Sequence, residues 1–114
     1  MKLTRLLVPV AVAVSLVIVP GAALAASAEK GKAAYVNHGC WQCHGFVGQG
    51  GIAGPKLAPD PKPLAVLSAF IRNSNGPMPP YTETILSNDD LADIHAYLAS
   101  IAKAPDYKSI PLLK

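Results

Sequence analysis

From Leu6 to Val19 the chain is apolar at almost every position, and Pro20 and Gly21 end the run. After residue 26 the pattern changes to short amphipathic segments separated by glycine and proline. Residues 27–39, SAEKGKAAYVNHG, read as a helix. Ser27 is placed to cap it, Glu29 sits in its first turn where the macrodipole favours a negative charge, and Gly39 is placed to end it. Gly31 and Tyr35 are four residues apart and share a face. A mid-helix glycine costs about 1 kcal/mol against alanine, so its presence suggests close approach of another helix. A second helix is expected from Pro63, PLAVLSAFIRN, with Leu64, Leu67, Phe70 and Ile71 on one face. The third, SNDDLADIHAYLASIAK, has Ser87 and Asp90 as an approximate capping box. Leu91, Ile94, Leu98 and Ile101 form its apolar stripe, Lys103 suits its C-terminal end, and Pro105 stops it. No segment alternates as a strand would, so the expected class is all-α.

Between the first two helices, residues 45–63 hold five glycines and four prolines. That composition predicts a loop. A loop this long in a small domain needs an object to wrap around. A second break, NSNGPMPPY, surrounds Met78 with three prolines.

The N-terminal run has the layout of a secretory leader: basic Lys2 and Arg5, an apolar stretch, and the small-x-small site Ala23-Leu24-Ala25. Cleavage after Ala25 is expected, making residues 1–25 a signal peptide and placing the rest in the periplasm. The competing reading is an uncut anchor, since residues 6–25 just reach bilayer length. Without the leader, the net charge of +3 falls to +1, with eight basic residues against seven acidic. No basic stripe remains to bind nucleic acid, and a membrane contact follows only from an uncut leader. Residues 26–104 make one domain, and residues 105–114 form a C-terminal extension whose role the sequence does not define. A domain this small buries little surface and usually needs a staple.

The two cysteines lie in GCWQCHG, as Cys40 and Cys43, with His44 directly behind them. A C-x-x-C spacing serves a redox disulfide, a zinc site or covalent haem attachment. Zinc requires four ligands, and Cys40, Cys43 and His44 would need His38 or His95 as the fourth, with no second C-x-x-C and no H-x₃-H. A thioredoxin-like pair requires a βαβ setting that this chain lacks. Haem attachment accounts for every residue of the motif: two thiols for two vinyl groups, and His44 as the proximal iron ligand. A haem would also supply the buried apolar surface that a short chain lacks. For the sixth ligand the candidates are Met78, His38 and His95. Met78 is favoured, because core-filling methionines usually lie in helices and this one is clamped by prolines. His38 is read as an exposed residue at a helix end, and His95 as surface or half-buried.

Taken in order, Gly31 and Tyr35, C-x-x-C-H, Gly54-Pro55-x-Leu57, Met78-Pro79 and a last helix with Asp93-Ile94-His95-Ala96-Tyr97-Leu98 resemble a class I cytochrome c, of the small bacterial monohaem kind. The resemblance covers residues 27–103 and implies three to four helices wrapped around one covalent haem c. It implies that Cys40 and Cys43 hold the haem, that His44 and Met78 ligate its iron, and that the Pro55 carbonyl accepts from His44 Nδ1. It also implies that Gly31 and Tyr35 pack against Ile94 and Tyr97. The chain departs from larger relatives in its short stretch before Met78 and in lacking a lysine ring. Trp41, between the cysteines, is expected against the haem edge or solvent.

The function implied is that of a periplasmic one-electron carrier, not an enzyme, exchanging electrons with a protein donor and acceptor over a transient interface. The alternative is a cytochrome subunit of a periplasmic dehydrogenase complex. A third class, gas binding at an open iron, would require loss of Met78 ligation.

Overall fold

The computed structural model describes residues 25–113; the leader expected over residues 1–25 lies, but for Ala25, outside them. Four α-helices follow in order, α1 (Ala28–Asn37), α2 (Trp41–His44), α3 (Leu64–Asn73) and α4 (Asn88–Ser100), and then two single 3₁₀ turns, Tyr107–Ser109 and Pro111–Leu113. Among the described residues there is no strand. The all-α expectation therefore holds.

The caps follow the side chains that the sequence supplies. Ser27 Oγ accepts from the Lys30 amide at 3.3 Å, and Ser87 Oγ from the Asp90 amide at 3.0 Å. In a full capping box the third residue reaches back to the cap amide. Asp90 is one methylene shorter than glutamate, and its Oδ2 takes the Ser87 hydroxyl instead, at 2.9 Å.

Three details differ from the sequence expectation. Pro63 stands just outside α3 as its N-cap, not within the first turn. α4 ends at Ser100, before Lys103, because Ser100 Oγ takes the Tyr97 carbonyl at 2.7 Å and Ile101 is extended. α2 was not anticipated. One turn is too short to show a period, but the amides of His44 and Gly45 reach the carbonyls of Cys40 and Trp41 at 3.0 and 2.9 Å.

α1 packs chiefly against α4, and α3 touches α4 more lightly. Gly31 sits at the crossing. A β-carbon there would overlap the Asp93 carbonyl, so only glycine lets the two backbones meet. The same residue, Asp93, accepts the Ser27 amide on its Oδ1 at 2.6 Å, which ties the start of α1 to α4. One turn along, Tyr35 is fully buried against Tyr97, with ring centroids 5.6 Å apart. Ile94 and Leu98 complete the buried face of α4, with Leu91 and Leu86 beside them. Ile101, at the end of the expected stripe, is half-buried. The stripe also omits Tyr97, whose ring packs inward while its hydroxyl reaches a carbonyl.

The glycine-rich loop is ordered by its own backbone. Leu57 and Ala58 amides both donate to the Gly48 carbonyl at 2.8 and 3.0 Å, and Gly50 donates to the His44 carbonyl at 2.8 Å. These bonds fold residues 45–58 back on themselves and return Pro55 to the motif.

Replacing Gly31 by alanine should destabilise the protein. In an open helix the change gains about 1 kcal/mol; at this crossing overpacking costs about 1–3 kcal/mol and outweighs it. A denaturation midpoint lower than wild type is the expected result, and an unchanged or higher one would mean the helices can separate freely.

Candidate haem cleft

Cys40 is the N-cap of α2 and Cys43 lies within it, so the helical turn sets their separation and places His44 at its end. Three tyrosine side chains then hold the backbone on either side of the motif. Tyr35 Oη donates to the Gly45 carbonyl at 2.8 Å, and Tyr97 Oη to the Phe46 carbonyl at 2.9 Å. Tyr81 Oη donates to the His38 carbonyl at 3.0 Å. The two tyrosines that meet at the helix crossing thus grip consecutive carbonyls just past the motif.

His44 is buried, with 8% of its surface exposed. Its Nδ1 lies 2.8 Å from the Pro55 carbonyl oxygen. A carbonyl can only accept, so Nδ1 carries the proton and Nε2 keeps its lone pair. Among the described residues no group hydrogen bonds Nε2. Gly54 makes this approach possible: a β-carbon there would come within 2.9 Å of both the Cys43 carbonyl and His44 Nδ1.

His44 opens onto a cavity of about 800 Å³, within the range of about 300–1,000 Å³ that holds sizeable organic ligands. Cys40, Cys43 and Pro55 line it together with His44, and Met78 lines it from the loop after α3. Leu67, Phe70 and Ile71 of the expected α3 face also line it, with Val66 added; Leu64 does not. Leu91, Ile94 and Leu98 of α4 contribute as well. Met78 is half-buried, and its carbonyl accepts from Ser74 Oγ at 2.7 Å.

The two other histidines do not line the cavity. His38 is the C-cap of α1. It is half-buried rather than exposed, because its ring lies edge-on to Tyr81. His95 is half-buried, with Nε2 3.0 Å from the Lys62 carbonyl, and ties α4 to the chain entering α3. Trp41 stacks on Phe46, with centroids 4.6 Å apart and planes 10° from parallel. One face of Trp41 is thus covered by a protein ring, and the residue is half-buried. The sequence reading missed the tyrosine hydroxyls, since only the tertiary fold shows which carbonyls they reach.

The thiol chemistry bears on the alternatives. Both cysteines are free, Cys40 half-buried and Cys43 exposed. Burial pushes the Cys40 thiol up to about 11, the opposite of the lowered value that activates a redox thiol. Among the described residues no group of three or more His, Cys, Asp or Glu is placed to hold a metal ion.

Comparison with known families bears on the same point. Residues 26–98 match the family described as cytochrome c oxidase, cbb3-type, subunit III. The chain belongs to this family. It is a small c-type cytochrome, a haem-based electron-transfer protein whose work requires redox partners. No curated protein and no solved structure gave a match. The cleft of this cytochrome fits the group its family implies: Val66 and Phe70, 55% and 60% exposed, turn toward the cavity and would be covered by an apolar macrocycle. Two thiols, an imidazole with a free Nε2 and a thioether line that same cavity.

Burial also raises the Tyr35 phenol above the ordinary value of 10.0. The unfolded phenol ionises near pH 10 while the folded one stays protonated, so the stability this group contributes is present below pH 10 and lost as pH climbs toward the folded value. Tyr35→Phe should therefore cost about 1 kcal/mol near pH 8, the worth of one hydrogen bond, and the gap to wild type should narrow above pH 10. Paired denaturation curves at the two pH values check both parts.

Proposed function

We propose that this cytochrome is a periplasmic one-electron carrier with a single covalent haem c and His/Met axial ligation. The observation that carries the reading is the convergence of Cys40, Cys43, His44 and Met78 on one apolar cavity. Cys40 and Cys43 would hold the group through thioethers, and α2 fixes the spacing of their sulfurs. His44 would present Nε2 to the iron, with Pro55 fixing the tautomer and raising the basicity of the ring, as such outer partners do. Met78 would supply the sixth ligand. The bound haem supplies an Fe(III)/Fe(II) couple. A thioether at the sixth position favours the reduced iron, raises the potential and disfavours small-molecule binding.

The leader reading belongs with this. The family match begins at residue 26, the first residue after the expected cleavage site, which supports residues 1–25 as a removable signal peptide. Residues 26–104 would then be the cytochrome domain and 105–114 an extension. No helix of the described residues is long and apolar enough to cross a membrane.

A second reading makes the chain a standing subunit of a larger redox complex, such as a periplasmic dehydrogenase. Two observations favour membership of a complex: the family description names a subunit, there of an oxidase, and Tyr107, Leu112 and Leu113 in the extension are exposed. Recovery of a stoichiometric partner would select it; a monomer reduced by several donors would select the free carrier.

The deciding test is the spectrum of protein exported from a host that matures c-type haem. Sharp reduced α and β bands are expected, with a weak far-red band in the oxidised form that Met78→Ala abolishes. Haem should survive denaturing extraction in wild type and be lost in the Cys40→Ser, Cys43→Ser double variant. A haem spectrum lacking the far-red band would remove Met78 as ligand; a protein without haem from that host would remove the proposal.

A further inference from the structure

The cleft has two walls. Residues 27–58 carry the cysteines, His44 and Pro55; residues 63–86 carry α3 and Met78. Among the described residues a single hydrogen bond joins them, from Tyr81 Oη to the His38 carbonyl at 3.0 Å. The bond spans the cleft close to both functional segments. Tyr81 lies three residues after Met78, and His38 two residues before Cys40.

Tyr81 is itself held at every polar atom. Its amide donates to the Ile71 carbonyl at 3.0 Å. Its own carbonyl accepts from Arg72 Nη1 at 2.7 Å, while Arg72 Nη2 donates to Asn88 Oδ1 at 2.8 Å. Its ring lines the cavity and meets the edge of the His38 ring at a centroid distance of 6.5 Å. Arg72 Nε is buried without a partner, an unfavourable arrangement. It is sustained by the two bonds that the other guanidinium nitrogens make, one of which fixes Tyr81. A residue fixed to α3 by its backbone and to the end of α1 by its side chain acts as a crossbar.

The geometry points to Tyr81 as the positioning residue for the Met78 loop: its hydroxyl keeps the loop wall at the distance from the motif wall at which Met78 ligates. This rests on Met78 being the sixth ligand. The remaining hold on the loop, Ser74 Oγ to the Met78 carbonyl, is local to one wall and does not set the width of the cleft. Without the Tyr81 hydroxyl, no hydrogen bond would join the two walls directly, and Met78 ligation would have to hold the loop closed.

The test uses the haem-loaded protein, wild type and Tyr81→Phe, with imidazole as the competing ligand. The oxidised far-red band reports Met78 on the iron, and far-ultraviolet circular dichroism reports global unfolding. In Tyr81→Phe, imidazole should displace Met78 with roughly two- to tenfold higher apparent affinity, the range that one net hydrogen bond represents. On heating, the band should vanish below the global transition. Arg72→Gln, which frees the Tyr81 carbonyl and leaves the hydroxyl in place, should move both readouts in the same direction and carries the test if Tyr81→Phe does not mature. Unchanged imidazole affinity, with band loss still coincident with unfolding, would overturn the inference and leave Tyr81 a fold contact. A wild-type protein with haem but no far-red band would instead remove Met78 as ligand, and the inference with it.

Discussion

The approach of Gly31 to the Asp93 carbonyl is the contact on which the rest depends. It lets two short helices touch backbone to backbone, which places Tyr35 against Tyr97. From that pair the two hydroxyls reach the carbonyls of Gly45 and Phe46. The haem-motif segment is thus held from outside, by residues on helices that contain none of its donors. Buried aromatic surface supplies the energy of the crossing, and the two phenols turn it into a position for α2.

A second constraint is size. The described fold has a buried centre built mainly from α1 and α4, with Ala58, Ile71 and Leu86 added, but α3 turns much of its apolar face toward the cavity. A protein of this length cannot close such a space with side chains alone, because too few residues remain after two helices are packed. The apolar surface of Val66 and Phe70 is therefore a requirement of the cofactor, not a flaw in packing. The glycine-rich loop obeys the same logic. Its backbone bonds to Gly48 and His44 turn it back so that Pro55 can meet the imidazole.

Much of this was legible in the residues. Ser27 and Ser87 announce their helices because capping is local chemistry, and the stripe Leu91, Ile94, Leu98 declares its buried face because it has a period. C-x-x-C-H is legible because the chemistry restricts the residue types. That Met78 stands apart was legible for a different reason, since prolines clamp it in a loop and not on a helix face; the structure places it on the cavity wall. What was not legible depends on contacts across the fold. α2 has no period to read. Tyr97 lay outside the stripe, and its packing on Tyr35, implied by the resemblance, holds; the carbonyl its hydroxyl reaches was not legible. Leu64 fell on the expected face of α3 yet stays outside the cavity, since helical phase gives a direction and not the edge of the object being faced. His38 was placed at the surface, whereas its ring meets Tyr81, forty-three residues away in sequence.

The two sides of the cleft are held unequally, and that asymmetry has a chemical meaning. On the His44 side, the Tyr35 and Tyr97 hydroxyls, the Pro55 carbonyl and the backbone of α2 all fix one short segment. On the Met78 side there are the Ser74 hydroxyl, the prolines and the Tyr81 crossbar. An imidazole bound by several restraints keeps its orientation in either charge state of a metal. Under the proposed His/Met ligation, the Met78 thioether, on the wall with fewer ties, would be the ligand that yields first. Rigidity on one wall would thus preserve the orientation of His44, and the few bonds on the other would decide how firmly Met78 is held in place.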